Sequence, residues 1–315
     1  MDIVFTILGL IILLLAGDLL VRGAVNFGLR LGIPTLIVSL TIVAFGTSAP
    51  ELLIAIRAAL AGSPGIVLGN VVGSNTANIL LVLGLPALVA GIYCADCDSR
   101  KTYGFMMGAT IIFIALSFLS PFGFWHGLIL LSLLSAMLIE AFVSARRHRT
   151  CETGGCDDDE ISEADPNLAA WKIGLYLLLG IVGLPYGAAL LVDGALGIAR
   201  ELGISESVIG LTLIAVGTSL PELATTVMAT LRRHGDVVIG NVIGSNMFNI
   251  LAIMGVASMF GPLEVPHNIL AFDLWVMLGS SLLLAPIVFF RLKITRVWGA
   301  AMLILYGTYL FVLLG

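Results

Sequence analysis

Charged residues are scarce in this chain. Asp, Glu, Lys and Arg make up 11% of its 315 residues, where a soluble domain carries about 25%. Too little charge remains to cover a water-facing surface. Intrinsic disorder is excluded as well, since it requires high charge and low hydrophobicity. Lys and Arg total 15 against 20 Asp and Glu, so no basic face can form and nucleic-acid binding is excluded. Histidine and cysteine are rare too, four of each. His126, His148, His234 and His267 lie at the ends of apolar stretches or between them, too shallow for a buried imidazole site. No His-Glu-x-x-His or comparable constellation is present, so the chain is not expected to be an enzyme.

Apolar residues fill the space that charge leaves. The chain is 59% hydrophobic, with a mean hydropathy of +1.10. A membrane-spanning helix needs roughly 20 apolar residues, and ten such segments are read at 3–20, 34–61, 65–90, 104–121, 125–143, 171–192, 207–231, 236–260, 269–290 and 297–314. The runs are continuous, which favours helices over the alternating strands of a barrel. The first follows Met1-Asp2 without a basic start, so it is expected to be a retained helix. The expected fold is an all-α polytopic protein of the cell membrane with ten transmembrane helices.

Lys and Arg stay cytoplasmic in short loops. With the N-terminus outside, every basic residue except Arg57 and Arg200 falls on the cytoplasmic side, which predicts an N-out, C-out chain. The one long polar stretch, 144–170, is read as a cytoplasmic linker between a first half, 1–143, and a second, 171–315. Its acidic run Asp157 to Glu160 is expected to be a solvated face. Cys94 and Cys97 form a C-x-x-C in a cytoplasmic loop, and Cys151 and Cys156 lie in the linker. Disulfides are not expected in a reducing compartment, and the spacing does not match an established Zn²⁺ site. Glu264 and Asp273, near the outer surface, read equally as cation attraction or as a wet loop end.

An internal repeat organises the chain. Gly46-Thr47-Ser48-Ala49-Pro50-Glu51 recurs as Gly217-Thr218-Ser219-Leu220-Pro221-Glu222, and Gly69 to Asn75 recurs as Gly240 to Asn246. The offset is 222 − 51 = 171 for both, and 28 of the 64 aligned pairs between Val21–Gly84 and Val192–Gly255 are identical. Five spans per half, an odd number, invert the second half across the membrane. Inverted repeats with interrupted helices are a transporter design whose site lies near the midplane.

The repeated residues carry oxygen chemistry. Pro50 and Pro221 remove a backbone donor and disfavour helix at the preceding residue. The helix is therefore expected to unwind there and to free carbonyls, those of Ala44 and its neighbours. Irregular backbone at that depth is tolerated only around a cavity or ion. Glu51 and Glu222 adjoin the breaks, where a carboxylate is costly unless paired or functional. Ser74 and Asn78 share a helix face at spacing four, as do Ser245 and Asn249. Asn70, Asn75, Asn241 and Asn246 are read as helix-break or packing residues. The combined donors are all oxygen, which suits a hard cation such as Ca²⁺ and not a soft metal.

These segments resemble the two alpha-repeats of the sodium/calcium exchanger family, within the cation/calcium antiporter superfamily, at 44–84 and 215–255. The short linker is similar to that of the prokaryotic type. The resemblance implies a secondary antiporter that exports Ca²⁺ on Na⁺ influx, with Ca²⁺ and Na⁺ as its substrates, the bilayer as its setting, and neither a cofactor nor an obligatory protein partner. It implies that Glu51 and Glu222 are shared by both ions, with Thr47, Ser48, Thr218 and Ser219 adding oxygens. Ser74 and Ser245 would serve outer Na⁺ sites, Asn78 and Asn249 the centre, and the carbonyls of Ala44 and Ala215 the Na⁺ shells. The first and sixth spans would slide over a rigid core of the other eight. Asn249 stands where some prokaryotic and K⁺-dependent relatives have Asp, which argues against K⁺ coupling. The motif pattern makes H⁺ coupling the weaker option, and an H⁺- or K⁺-coupled Ca²⁺/cation antiporter is the alternative reading. A cation channel is a weaker alternative, because inverted broken helices in one chain favour a carrier.

Overall fold

The computed structural model describes residues 2–92, 99–151, 168–201 and 215–314, without the side chains of 145–151, 199–200, 215–216 and 314. Among these residues every regular element is helical. Seven helices are long and apolar enough to cross a membrane, and an eighth is the pair Thr35–Thr47 and Ala49–Leu60, bent by 46°. Of the remaining expected spans, 104–121 falls on the helix Arg100–Ser117, whose first turn carries Arg100 and Lys101. The other, 207–231, begins outside the described residues and continues as Ala215–Thr218 and Leu220–Leu231.

Three boundaries differ from the hydropathy reading. The first helix runs Asp2–Leu31, the helix after the linker Ala170–Glu201, and the fifth span Phe124–Cys151, well into the stretch read as linker from 144. Thirty residues at 1.5 Å each give about 45 Å, longer than the roughly 30 Å hydrocarbon layer. Polar and charged turns continue a helix past the membrane, and hydropathy marks only the part inside it. The acidic run 157–160 and the thiols of Cys94, Cys97, Cys151 and Cys156 lie outside the described residues and side chains.

The two long helices Asp2–Leu31 and Ala170–Glu201 pack antiparallel. Position 9 meets 187 and 191, position 16 meets 183, and position 23 meets 177. Close approach depends on glycine: a Cβ on Gly9 would lie 2.4 Å from the Leu191 backbone nitrogen. In a lipid setting small residues set how near two helices can come. Much of this pair's remaining surface is exposed and apolar, including Ile3, Leu15, Leu178 and Val182. The pair is tied to the rest of the bundle by Asp18, which forms ion pairs with Arg22 (3.0 Å) and with Arg232 at the end of Leu220–Leu231.

The largest core lies elsewhere, in the helices that carry the repeated motifs. Pro64–Ala77 and Gly235–Met247 place Val67, Leu68, Val71, Val238, Val242 and Ile243 in one buried cluster. Both continue into π-helical turns, Asn78–Val82 and Phe248–Ile253, a distortion that often marks functional sites. The second span contains another, Ser39–Val43, just before its bend.

Candidate cation-binding site

The two breaks have the same local geometry. Ser48 sits at φ −87°, ψ 6°, and Ser219 at φ −87°, ψ 5°, each followed by a helix with its proline in the first turn. Proline is tolerated there because its missing N–H would be unsatisfied anyway. The break is a bend, however, and not an unwound segment. Ser48 N–H still donates to Ala44 O at 3.0 Å, and Leu52 N–H to Ser48 O at 3.2 Å. Ala44 O also accepts the Thr47 hydroxyl at 3.2 Å. The Ala44 carbonyl is thus not freed, contrary to the expectation from Pro50. A proline without an N–H instead deprives the carbonyl four residues before it, that of Gly46, of its helical donor.

The bend aims the acidic side chains inward. Glu51 and Glu222 are each 1% exposed, and Thr47, Ser48, Ser74, Asn78, Ser219, Ser245 and Asn249 are buried with them. Thr218 is half-buried, and Ala44 is buried. Ala215 heads the helix Ala215–Thr218, but its side chain lies outside the described set.

Hydrogen bonds join the two halves at this point. Ser48 Oγ donates to Glu222 Oε1 at 2.9 Å. Thr47 Oγ1 lies 3.5 Å from Ser245 Oγ, and Asn78 Nδ2 donates to Asn246 Oδ1 at 3.1 Å. Each glutamate's main chain is braced in the same way. Asn70 Nδ2 donates to Glu51 O and Asn241 Nδ2 to Glu222 O, both at 3.4 Å. These two asparagines hold backbone, and Asn75 donates to Val71 O within its own helix at 2.7 Å. Asn246 packs between helices and accepts from the side chain of Asn78. Helical spacing on one span cannot reveal a partner on another, so nothing in the sequence marked it.

Several buried atoms here have no hydrogen-bond partner. They are Glu51 Oε2, Glu222 Oε2, Ser219 Oγ, Asn78 Oδ1, Asn241 Oδ1 and both polar atoms of Asn249. Leaving one buried polar atom unpaired costs about 1–3 kcal/mol, so native structures hold few without a reason. Six of these atoms are oxygens, and they belong to the repeated motifs. Among the described residues no three of His, Cys, Asp and Glu gather in one place. The donor set is therefore two carboxylates with hydroxyl and amide oxygens, chemistry that fits a hard cation with mixed oxygen ligands.

Close packing across the breaks sets the dimensions of the site. A Cβ on Gly244 would lie 2.5 Å from Leu40 O and 2.6 Å from Ala44 Cβ, so only glycine admits that span so near the second. Ala44, Phe248 and Ala252 seal the same contact. A cavity of about 460 Å³ lined by Asn70, Gly73, Ser74 and Thr218 approaches the site from one side, with Gly65, Pro266 and Leu313 farther along its wall.

The chain is similar to known transport proteins over nearly its whole length. The family described as "Sodium/calcium exchanger protein" matches residues 1–143 and 172–315. The sodium/calcium exchanger MaX1 of Methanosarcina acetivorans is 31% identical over 339 residues, covering 98% of this chain and 97% of its own. Inner membrane protein YrbG of Escherichia coli is 32% identical, covering 89% and 86%. A solved structure of the sodium-calcium exchanger NCX_Mj, soaked with zero Na⁺ and Ca²⁺, aligns over 99% of this chain and 98% of its own, with a TM-score of 0.83 and 33% identity. The same exchanger soaked with Na⁺ and Sr²⁺ aligns with a TM-score of 0.81 over 98% and 97%.

Proposed function

The chain belongs to the sodium/calcium exchanger family, and from that premise we propose how its site performs exchange. It is a multi-pass membrane transporter, not an enzyme, and it exchanges Na⁺ for Ca²⁺ by secondary antiport. In our reading Na⁺ influx drives Ca²⁺ export. Glu51 and Glu222 are the central ligands, their two charges balancing one divalent ion. Ser48, Ser219, Asn78 and Asn249 complete its shell, while Thr47, Ser74, Thr218, Ser245 and the carbonyl of Ala215 serve Na⁺. The observation that carries this is that buried oxygens of Glu51, Glu222, Ser219, Asn78 and Asn249, all in the repeated motifs, have no hydrogen-bond partner.

The halves 1–143 and 171–315 act as two inverted five-span repeats of a ten-span, N-out, C-out chain. The matching bends at Ser48 and Ser219 and the antiparallel pairing of the two long helices support this arrangement. Inversion makes the site equally reachable from either side in turn, as alternating access requires.

Ca²⁺ uptake into proteoliposomes tests the reading. Uptake should require an opposing Na⁺ gradient and vanish in Glu51→Gln and Glu222→Gln. Equal uptake on a K⁺ or H⁺ gradient alone would overturn Na⁺ coupling, and single-channel currents would overturn the carrier.

A further inference from the structure

Among the described residues, one buried carboxylate lies outside the repeated motifs. Asp273 is 6% exposed and ends the π-helical turn Ile269–Asp273 at the start of the ninth span. Glu264, its neighbour in sequence, is exposed. The loop-end reading therefore suits Glu264 and not Asp273. Tyr309 Oη donates to Asp273 Oδ1 at 3.0 Å, and the Tyr309 ring stacks on Phe272 with centroids 6.1 Å apart. An ionised carboxylate accepts about four hydrogen bonds, so one phenol leaves most of its capacity unused. Among the described residues no Lys or Arg pairs with it. Asp273 lines the same 460 Å³ cavity as Asn70, Ser74 and Thr218, so the cavity joins this acid to the motif residues.

The acid is also one-sided. At the repeat offset of 171, Asp273 corresponds to Thr102 and Tyr309 to Leu138, and Lys101 stands beside the former. Duplication of the motifs therefore does not account for it. A cation approaching through the cavity meets a negative group.

We propose that Asp273, oriented by Tyr309, is a capture site for hydrated Na⁺ and Ca²⁺ on the outer approach to the Glu51–Glu222 site. This rests on the reading that the glutamate pair carries transport. Asp273 holds the ion only in passing. Its charge, focused in a low-dielectric cavity, raises the local cation concentration about tenfold or more, and Tyr309 keeps the carboxylate turned to the cavity.

Initial rates of exchange in right-side-out and inside-out membrane vesicles, with Ca²⁺ varied on the exposed face, test this. For Asp273→Asn the expected result is a three- to tenfold rise in KM for Ca²⁺ in right-side-out vesicles, with kcat unchanged and KM in inside-out vesicles unmoved. Added salt should shrink the difference, because the attraction is screened. Asp273→Glu should restore the KM, and Tyr309→Phe should give a smaller rise on the same side. An unchanged outer KM overturns the proposal, and so does an equal change on both sides. Glu51→Gln separates the two readings: if it still exchanges, the glutamate reading fails whatever Asp273→Asn does.

Discussion

The Ser48 hydroxyl, at the bend of the first repeat, donates to Glu222 Oε1 of the second repeat at 2.9 Å. The first half thus supplies a donor to the second half's acid, whereas the matching Ser219 Oγ has no partner. A hydrogen bond to a charged group contributes about 1.5–3 kcal/mol. Ser48→Ala should therefore weaken apparent Ca²⁺ affinity by about tenfold or more, at about 1.4 kcal/mol per decade, while Ser48→Thr stays near the parent. Ca²⁺ titration of exchange rate in proteoliposomes checks both.

Cation binding should stabilise the fold. A ligand at 100 times its Kd adds about 2.7 kcal/mol to native-state stability. Thermal unfolding in detergent should shift upward with Ca²⁺ and, at higher concentrations, with Na⁺. The Ca²⁺ shift should disappear in Glu222→Gln. A shift that survives in the Glu51→Gln/Glu222→Gln double variant would place the ion elsewhere.

Asn78 and Asn246 are bonded side chain to side chain at 3.1 Å. Contacting residues couple by about 0.5–3 kcal/mol in a double-mutant cycle. The Ca²⁺ affinity losses of Asn78→Ala and Asn246→Ala should therefore fall well short of additivity when combined. Full additivity would mean that Asn246 does not act through Asn78.

Gly244→Ala places a methyl against Leu40 O and Ala44 Cβ at 2.5 and 2.6 Å, and overpacking of this kind costs about 1–3 kcal/mol. It should lower thermal stability and exchange together. Gly108→Ala is the control, since nothing lies within 4 Å of its added carbon. There the helix propensity gain of about 1 kcal/mol applies instead.

The Asp18–Arg232 ion pair links the first long helix to the span bearing Glu222. Its side chains are 16% and 19% exposed, between the surface and buried limits, so Asp18→Asn should destabilise by about 1–3 kcal/mol. The position has no repeat counterpart: offset by 171, Asp18 and Arg232 correspond to Ala189 and Ala61. Loss of the pair should therefore alter the cytoplasmic and outer KM for Ca²⁺ unequally, measurable in oppositely oriented vesicles.

Much of this was legible in one dimension because the membrane makes polarity expensive. With charge so scarce, Glu51 and Glu222 stand out in apolar spans, and the 171-residue offset pairs them without a gap. Hydropathy located the helices but not their ends, since Asp2–Leu31 and Phe124–Cys151 continue past their apolar runs into polar and charged residues where hydropathy loses its signal. Proline foretold a break at Ser48, yet not its form. Whether a helix unwinds or bends depends on packing against Gly244 and Phe248 from another span.

The sequence by itself determined the class of ligand, because residue type decides that oxygen and not sulfur or imidazole faces the ion. It also determined the pairing of the halves, because duplication is written in residue order. Only the tertiary structure decided which oxygens remain unpaired. Asn70 and Asn241 turn to backbone, Asn246 to Asn78, and Asp273 to Tyr309. Each of these bonds joins residues far apart in the chain or on different helices. Its geometry follows from how whole helices pack, which no local spacing records.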